Sequence, residues 1–365
     1  MVNKKKFENE LMHNEAQPNL EPVYDYLFVT HLPAFYKVNL YHELAKRCRV
    51  FVIFIGASSV IRNGDFTQNS NAFDYCILNS DPFEKRSVLS SLLKLYKFMR
   101  SKQYRKVVVG GWDLPEFWWV VLFSPKQKNT LALESSIYES KTKGLAGILK
   151  KCFLSRVSAA FSSGKPQHSL LKQLNYSGLI KITKGVGIFN HHLKRSTQHA
   201  FQGKFLYVGR LATEKNLWAL CEAFRDFPQY HLTLIGQGPL QKALQANKPA
   251  NVELLGYVEN EALGDHYLQH DVFILPSLRE PWGLVVEEAL YCGLPVIVSN
   301  KVGSGPDLIE TWQSGLTFDV DVAGSLQQAI THIAKHYDDF VNNVKAVNFQ
   351  LRDQSQIQQY LDVLS

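Results

Sequence analysis

Short apolar runs alternate along this chain with longer stretches in which apolar residues recur every three or four positions. Tyr24–Thr30 and Val50–Gly56 read as strands, with a helical stretch from Val38 to Arg47 between them. Val107–Gly111, Thr130–Leu133 and Ala159–Phe161 continue the strand series, with helical spacing around 83–103 and 142–155. A turn-rich, then polar stretch over 180–200 interrupts the pattern, and a second alternating series runs from Lys204 to about Val320. From Leu326 to Leu364 the periodicity is helical, at Ile330, Ile333, Ala334 and Tyr337. Strands and helices in strict alternation predict parallel sheets covered on both faces. At 365 residues the chain exceeds the size at which one core keeps growing, so two such units are expected.

Charge separates the two halves. Residues 1–200 hold 29 Lys/Arg against 14 Asp/Glu, and residues 201–365 hold 11 against 19, so +15 and −8 make up the net +7. In the basic half, the stretches Phe83–Arg100 and Lys141–Arg156 interleave cations with apolar residues at helical spacing, the second with Leu145, Ile148, Leu149, Phe153 and Leu154. Two readings stand: helices packed on their own sheet with a solvated cationic face, or helices that also lie on an anionic membrane surface. Nucleic acid is not the expected partner, because no helix-turn-helix, zinc-finger or ribonucleoprotein signature accompanies the charge. Met1–Leu20 is polar, predicting a mobile segment and no secretory signal. No apolar run approaches a membrane span, even at Phe117–Phe123. Five cysteines, at 48, 76, 152, 221 and 292, have neither metal nor redox spacing and read as small buried hydrophobes of a reducing cytoplasm.

The most informative segment runs from Leu275 to Val298, L-P-S-L-R-E-P-W-G-L-V-V-E-E-A-L-Y-C-G-L-P-V-I-V. A strand passes through a Pro/Gly turn carrying Arg279 and Glu280 into a helix with Glu288 about one turn in. The unbonded amides of Gly283, Leu284 and Val285, with the positive end of the helix dipole, favour an anion such as a diphosphate. Glu280 and Glu288 on either side can accept hydrogen bonds from hydroxyls. A second strand-turn-helix, Phe205 to Lys215, sets Arg210 and Lys215 at the carboxyl edge of its sheet, where open α/β sheets bind ligands. Taken singly, the acids are ordinary first-turn residues and the cations ordinary surface charges. The four together describe a pocket for a ligand with phosphates in its middle and sugars at its ends.

Gly209-Arg210, Lys215, and Glu280 through Glu288 followed by Cys-Gly-Leu-Pro-Val-Ile resemble glycosyltransferase family 4, over roughly residues 203–318. The resemblance implies an α/β chain with the GT-B fold, two facing Rossmann-like domains with an interdomain cleft. The expected division is a mobile segment over 1–20, an acceptor-side domain over 21–184, a linker over 185–202, a nucleotide-sugar-binding domain over 203–345, and a final helix over 346–365 returning to the first domain. It further implies a retaining, nucleotide-sugar-dependent transferase. Arg210 and Lys215 would hold the donor diphosphate beside Gly209, with Gly283 and Leu284 giving backbone donors. Glu280 would face the transferred sugar and Glu288 the ribose, while Tyr257 and Val258, like Leu234–Gly238, fall where the family shapes its nucleotide pocket. The resemblance further implies a UDP- or GDP-linked co-substrate, with no cofactor and no metal expected, and an acceptor that is a glycan or lipid-linked glycan of the bacterial envelope, met in the cytoplasm or at the inner face of the cytoplasmic membrane.

Where relatives carry a His after a central strand of the first domain, this chain has Leu131-Ala-Leu-Glu-Ser-Ser136. Glu134 either contacts the sugar or leaves that place to Ser135 and Ser136 as helix caps. His31, Trp112 and Asp113 lie at strand ends that would open to the cleft, as sugar or acceptor contacts or as packed structural residues. Relatives' Asn-Gly-Val-Asp at the domain bridge is Lys184-Gly-Val-Gly187 here. Alternatives to transfer are an epimerase or phosphorylase of the same fold, or a catalytically silent binder of nucleotide sugars.

Overall fold

The computed structural model describes residues 23–58, 72–187 and 200–365. The expected mobile segment 1–20 and residues 188–199 of the expected linker lie outside the described residues. Thirteen parallel strands are described in two sheets. The first comprises β1 (Tyr24–Thr30), β2 (Val50–Gly56), β3 (Asp74–Asn79), β4 (Tyr104–Val109), β5 (Asn129–Leu133), β6 (Ala159–Ser162) and β7 (Leu179–Ile182) in the order 3-2-1-4-5-6-7. The second comprises β8 (Lys204–Val208), β9 (His231–Ile235), β10 (Val252–Gly256), β11 (Val272–Leu275), β12 (Val296–Ser299) and β13 (Gly315–Phe318) in the order 10-9-8-11-12-13. Both orders reverse direction beside their first strand, and each reversal opens a crevice at the carboxyl ends: between β1 and β4, and between β8 and β11.

Central strands such as Val50–Gly56 are buried along their whole length, as the unbroken V-F-V-I-F-I run requires of a sheet covered on both faces. Over one face of the first sheet lie α2 (Val88–Ser101), α3 (Pro115–Phe123), α4 (Gly144–Ser155) and α5 (Lys165–Gln173). They close a core that includes Leu27, Leu95, Phe117, Phe153 and Leu170. On the other face α1 (Phe35–Ala45) packs with Phe28, Val52 and Phe54. The second sheet is flanked by α6 (Leu217–Arg225), α7 (Gln241–Asn247), α8 (Asn260–Leu268), α9 (Leu284–Cys292), α10 (Ser325–Lys335) and α11 (Tyr337–Ala346).

α12 (Phe349–Leu361) leaves the second sheet and joins the first-domain core through Ile357 and Tyr360, with Val363 just beyond its end. The Tyr26 hydroxyl donates to the Tyr360 carbonyl at 2.6 Å, and Lys181 pairs with Asp362 at 2.9 Å. Three local expectations are corrected. No helix follows Ser135 and Ser136 directly: Ser136 Oγ accepts from the Tyr138 amide within a turn, and α4 begins only at Gly144. The helix after β8 is delayed by a 3-10 turn, Thr213–Lys215, and by Asn216 in the left-handed region at φ +56, which Asn tolerates. Strands β3 and β7 stand outside the expected series.

Candidate active site

Arg210 and Lys215 come from the loop after β8, and Glu280 from the loop after β11, so the two loops flank the crevice of the second sheet. The Leu278 amide donates to the Glu214 carbonyl at 2.8 Å, joining them directly. Across that joint Lys215 Nζ pairs with Glu280 Oε2, with only 17% and 14% of the two side chains exposed. Ser277 Oγ donates to the same carboxylate oxygen at 3.4 Å. Arg210 is more open and pairs with Glu214 at 2.5 Å. That hydrogen bond, with Glu214's own amide, holds the Glu214 carboxyl below the usual range.

Glycines let these loops close on one another. A side chain at Gly236, φ +137, would strike the Gly209 carbonyl, and the Gly236 amide donates to the Gly256 carbonyl at 2.7 Å, which gathers the carboxyl ends of β8, β9 and β10. Tyr257 and Val258 follow directly; Tyr257 is exposed and Val258 packs partly on the core. Gly283, at φ +92, starts α9 in a conformation that other residues adopt only with strain. Among the described residues the amides of Gly283, Leu284 and Val285 donate to no partner, so three donors and the helix dipole point one way. Glu288, one turn on, accepts from the buried Tyr267 hydroxyl at 2.8 Å, and burial pushes its carboxyl above the usual range.

In the first domain the crevice between β1 and β4 is framed by His31 and by Gly110 to Asp113. His31 Nε2 lies 2.9 Å from Asp113 Oδ2, and its ring meets Phe117 edge-on at 5.0 Å. Partial burial opposes the Asp113 charge, but the His31 hydrogen bond and charge, the Asp113 amide and the Lys37 charge together outweigh it and hold the carboxyl below its usual range. Trp112 is half-buried against the core, with Lys150 Nζ 5.3 Å from its ring centre. Glu134, at the end of β5, is held by Lys37 Nζ at 2.7 Å from α1. Burial disfavours the Lys37 ammonium, but the Glu134 carboxylate, together with Tyr36 and Tyr41, more than compensates and raises its affinity for the proton.

The two carboxyl edges face each other and are joined. Gln167 Nε2 donates both to the Glu134 carbonyl at 3.1 Å and to the Pro281 carbonyl at 2.7 Å. The Lys165 amide donates to Asp307 Oδ2 at 2.7 Å. Burial, and the nearby negative charge of Glu280, push the Glu139 carboxyl up, so the 134–139 loop of one domain lies beside the Glu280 loop of the other. Glu134 and Glu280 are thereby brought to opposite walls of one crevice. On its outer side Glu287 pairs with Arg352 and accepts from Trp282 Nε1, while Arg352 also donates to the Lys184 carbonyl at 2.9 Å.

Lys37, Gln167, Asp307 and Arg352 belong to the site or its frame without any sequence signal. Their partners lie far along the chain, 114 positions from Gln167 to Pro281 and 168 from Lys184 to Arg352.

A family model described as "Glycosyl transferases group 1" matches residues 193–346. The chain is 34% identical over 146 residues to a GDP-mannose-dependent alpha-mannosyltransferase of Mycolicibacterium smegmatis, covering 40% of this chain and 38% of that protein. It is 32% identical over 123 residues to the O-antigen chain mannosyltransferase B of Escherichia coli, covering 31% and 32%. The chain thus spans about a third of the length of these curated relatives. Among solved structures, that of Anabaena HepE in complex with UDP and glucose superposes with a TM-score of 0.70 at 14% identity, over 93% of this chain and 99% of that one. Residues 193–346 belong to the group 1 glycosyl transferases, and the chain that carries them has the GT-B fold.

Proposed function

We propose that this protein transfers a sugar from a UDP- or GDP-linked donor to a hydroxyl of a glycan or lipid-linked glycan, with retention at the anomeric carbon. The observation that carries the reading is the convergence of Lys215 and Glu280 beside the three unbonded amides of Gly283–Val285. A donor diphosphate seated there displaces the Lys215–Glu280 pairing: the ammonium turns to the phosphates and the carboxylate is freed for the sugar hydroxyls. As the bond from anomeric carbon to phosphate oxygen breaks, negative charge grows on the leaving diphosphate. Arg210, Lys215 and the α9 terminus stabilise that charge more than they stabilise the bound donor. The acceptor hydroxyl then bonds through its oxygen to the same face of the anomeric carbon and gives its proton to the departing diphosphate. Glu288 takes the ribose, and Glu134, pinned by Lys37, meets the transferred sugar from the opposite wall together with His31, Trp112 and Asp113. Envelope-polysaccharide assembly at the inner face of the cytoplasmic membrane is the setting we assign. The O-antigen mannosyltransferase among its relatives supports that setting.

The test is incubation with UDP- and GDP-hexoses and a panel of glycan and lipid-linked acceptors, reading nucleotide diphosphate release and the product anomer by NMR. Acceptor-dependent release with the donor's configuration kept is the expected result. Isomerised donor without acceptor would establish an epimerase, a requirement for inorganic phosphate a phosphorylase, and donor binding without turnover across the panel a silent binder.

A further inference from the structure

The helical layer α2–α4 carries a surface that sugar transfer at the crevice does not use. The three helices are knitted to one another: Trp119 of α3 meets Tyr96 of α2 edge-on at 5.8 Å and stacks on Phe123 at 5.1 Å. Trp118 meets Phe153 of α4 at 5.0 Å, and Arg156 donates to the Val121 and Leu122 carbonyls at 3.3 Å. Outside this seam the same helices turn large apolar side chains to solvent. Leu145 is 73% exposed, Phe123 71%, Leu89 69% and Ile148 64%, with Leu93, Leu122 and Leu149 close behind. An apolar crest of this kind marks a surface that meets a partner.

Charge identifies the partner. Lys97 and Arg100 on α2, Lys143 at the start of α4 and Lys151 within it are exposed, while neither α2 nor α4 contains an acidic residue. Glu116, the acid of α3, is fully buried against Arg86 at 2.8 Å. A second copy of this face would bring cation to cation. A nucleic acid would take the cations but leave the Leu and Ile crest in water. The headgroup boundary of an anionic bilayer takes both, phosphates against the cations and acyl chains against the crest.

We infer that α2, α3 and α4 together form a docking face for an anionic membrane leaflet. The inference rests on the proposed membrane setting and extends it to the acceptor. The face adjoins the first-domain crevice, because Lys150 of α4 lies over Trp112 in the loop that follows β4. A docked molecule therefore holds that crevice next to the headgroups, and the acceptor class that fits is a glycan carried on a membrane lipid.

The experiment is sedimentation of the full chain with phosphatidylcholine vesicles, with and without phosphatidylglycerol, in the absence of donor and acceptor. Binding to the anionic vesicles alone is expected. Each cation contributes roughly fivefold to partitioning, so Lys97→Gln, Arg100→Gln, Lys143→Gln and Lys151→Gln combined lower it by on the order of a hundredfold or more. A second variant, Phe123→Ser with Leu145→Ser and Ile148→Ser, keeps the charges and removes the part of the binding that survives high salt. All seven residues are exposed or nearly so, and an unchanged melting temperature certifies the fold of each variant. The inference is overturned by no vesicle binding by the parent chain, by both variants binding as the parent does, or by the crest variant abolishing a concentration-dependent dimer instead. RNA binding lost in the cation variant without vesicle binding would overturn it in favour of nucleic acid. Because no sugar is transferred in this assay, its failure leaves the transferase reading standing, and failure of transfer leaves vesicle binding intact.

Discussion

Lys215→Met removes one charge and keeps most of the apolar stem. The side chains of Lys215 and Glu280 are largely withdrawn from water, at 17% and 14% exposed, so the ammonium acts on a diphosphate through an effective dielectric well below that of bulk water. A charge pair about 4 Å apart at an effective dielectric near 20 is worth about 4 kcal/mol, an upper bound before desolvation. Losing one preorganised donor to a developing anion costs about 2.7–4 kcal/mol, or on the order of 10²–10³ in kcat. We therefore expect kcat to fall by that factor, with donor KM changing less, since the leaving group carries more charge in the transition state than in the bound donor. The variant also leaves Glu280 facing the phosphates uncompensated. Glu280→Gln in the same chain should recover part of the loss, with a coupling of about 0.5–3 kcal/mol between the two positions. Steady-state nucleotide release reads kcat and KM, calorimetry with the nucleotide diphosphate reads ground-state binding, and thermal melting guards against the about 1–3 kcal/mol expected from an orphaned, largely buried carboxylate. A correctly folded Lys215→Met with kcat within about threefold of the parent, under 1 kcal/mol, would reduce the pair to a structural ion pair and remove the basis for the transferase reading.

Two further substitutions probe the frame around the crevice. Burial pushes the Glu287 carboxyl up to about 7 despite the adjoining Arg352. A raised carboxyl pKa means that its contribution to stability is full below the unfolded value near 4.5 and is lost as pH rises through 7. Arg352→Met removes the compensating charge, so urea unfolding should show a loss of about 3–5 kcal/mol at pH 8 that shrinks markedly by pH 5.5, where Glu287 takes up a proton; an equal loss at both would refute the coupling. Lys37 is the opposite case: its folded pKa lies above the ordinary lysine value, so its contribution is complete below about pH 10 and constant from pH 6 to 9. Lys37→Met should cost on the order of 2–3 kcal/mol across that range, less than a fully buried pair because Glu134 keeps 33% of its side chain exposed, and a loss that varies with pH between 6 and 9 would contradict the pairing.

The two sheets were legible because central parallel strands must be apolar on both faces, and V-F-V-I-F-I at β2 or V-F-I-L at β11 leaves little room for another reading. β3 and β7 were not, because an outermost strand is covered on fewer sides: D-Y-C-I-L-N is buried only at its last two positions, and L-I-K-I at none. The loops of the second domain were legible for a different reason. Arg210, Lys215 and Glu280 lie in loops that leave the carboxyl ends of strands and Gly283 starts a helix, so chain order alone puts them at one sheet edge. The opposite wall had no such rule. Glu134 was visible as an acid after a strand, yet what fixes its carboxylate is Lys37, whose place on α1 reads as one more polar position on an amphipathic helix. Gln167 illustrates the limit most sharply, since a glutamine in the first turn of a helix is chemically unremarked until the other domain offers the Pro281 carbonyl. Crevice chemistry divided between two lobes can be read from sequence on the lobe whose ligand groups are local, and on the facing lobe only once the lobes are brought together. It follows that the specificity for sugar and acceptor, which depends on the facing wall, is where substitution experiments on Lys37, Glu134 and Gln167 will discriminate most between this chain and others of the same fold.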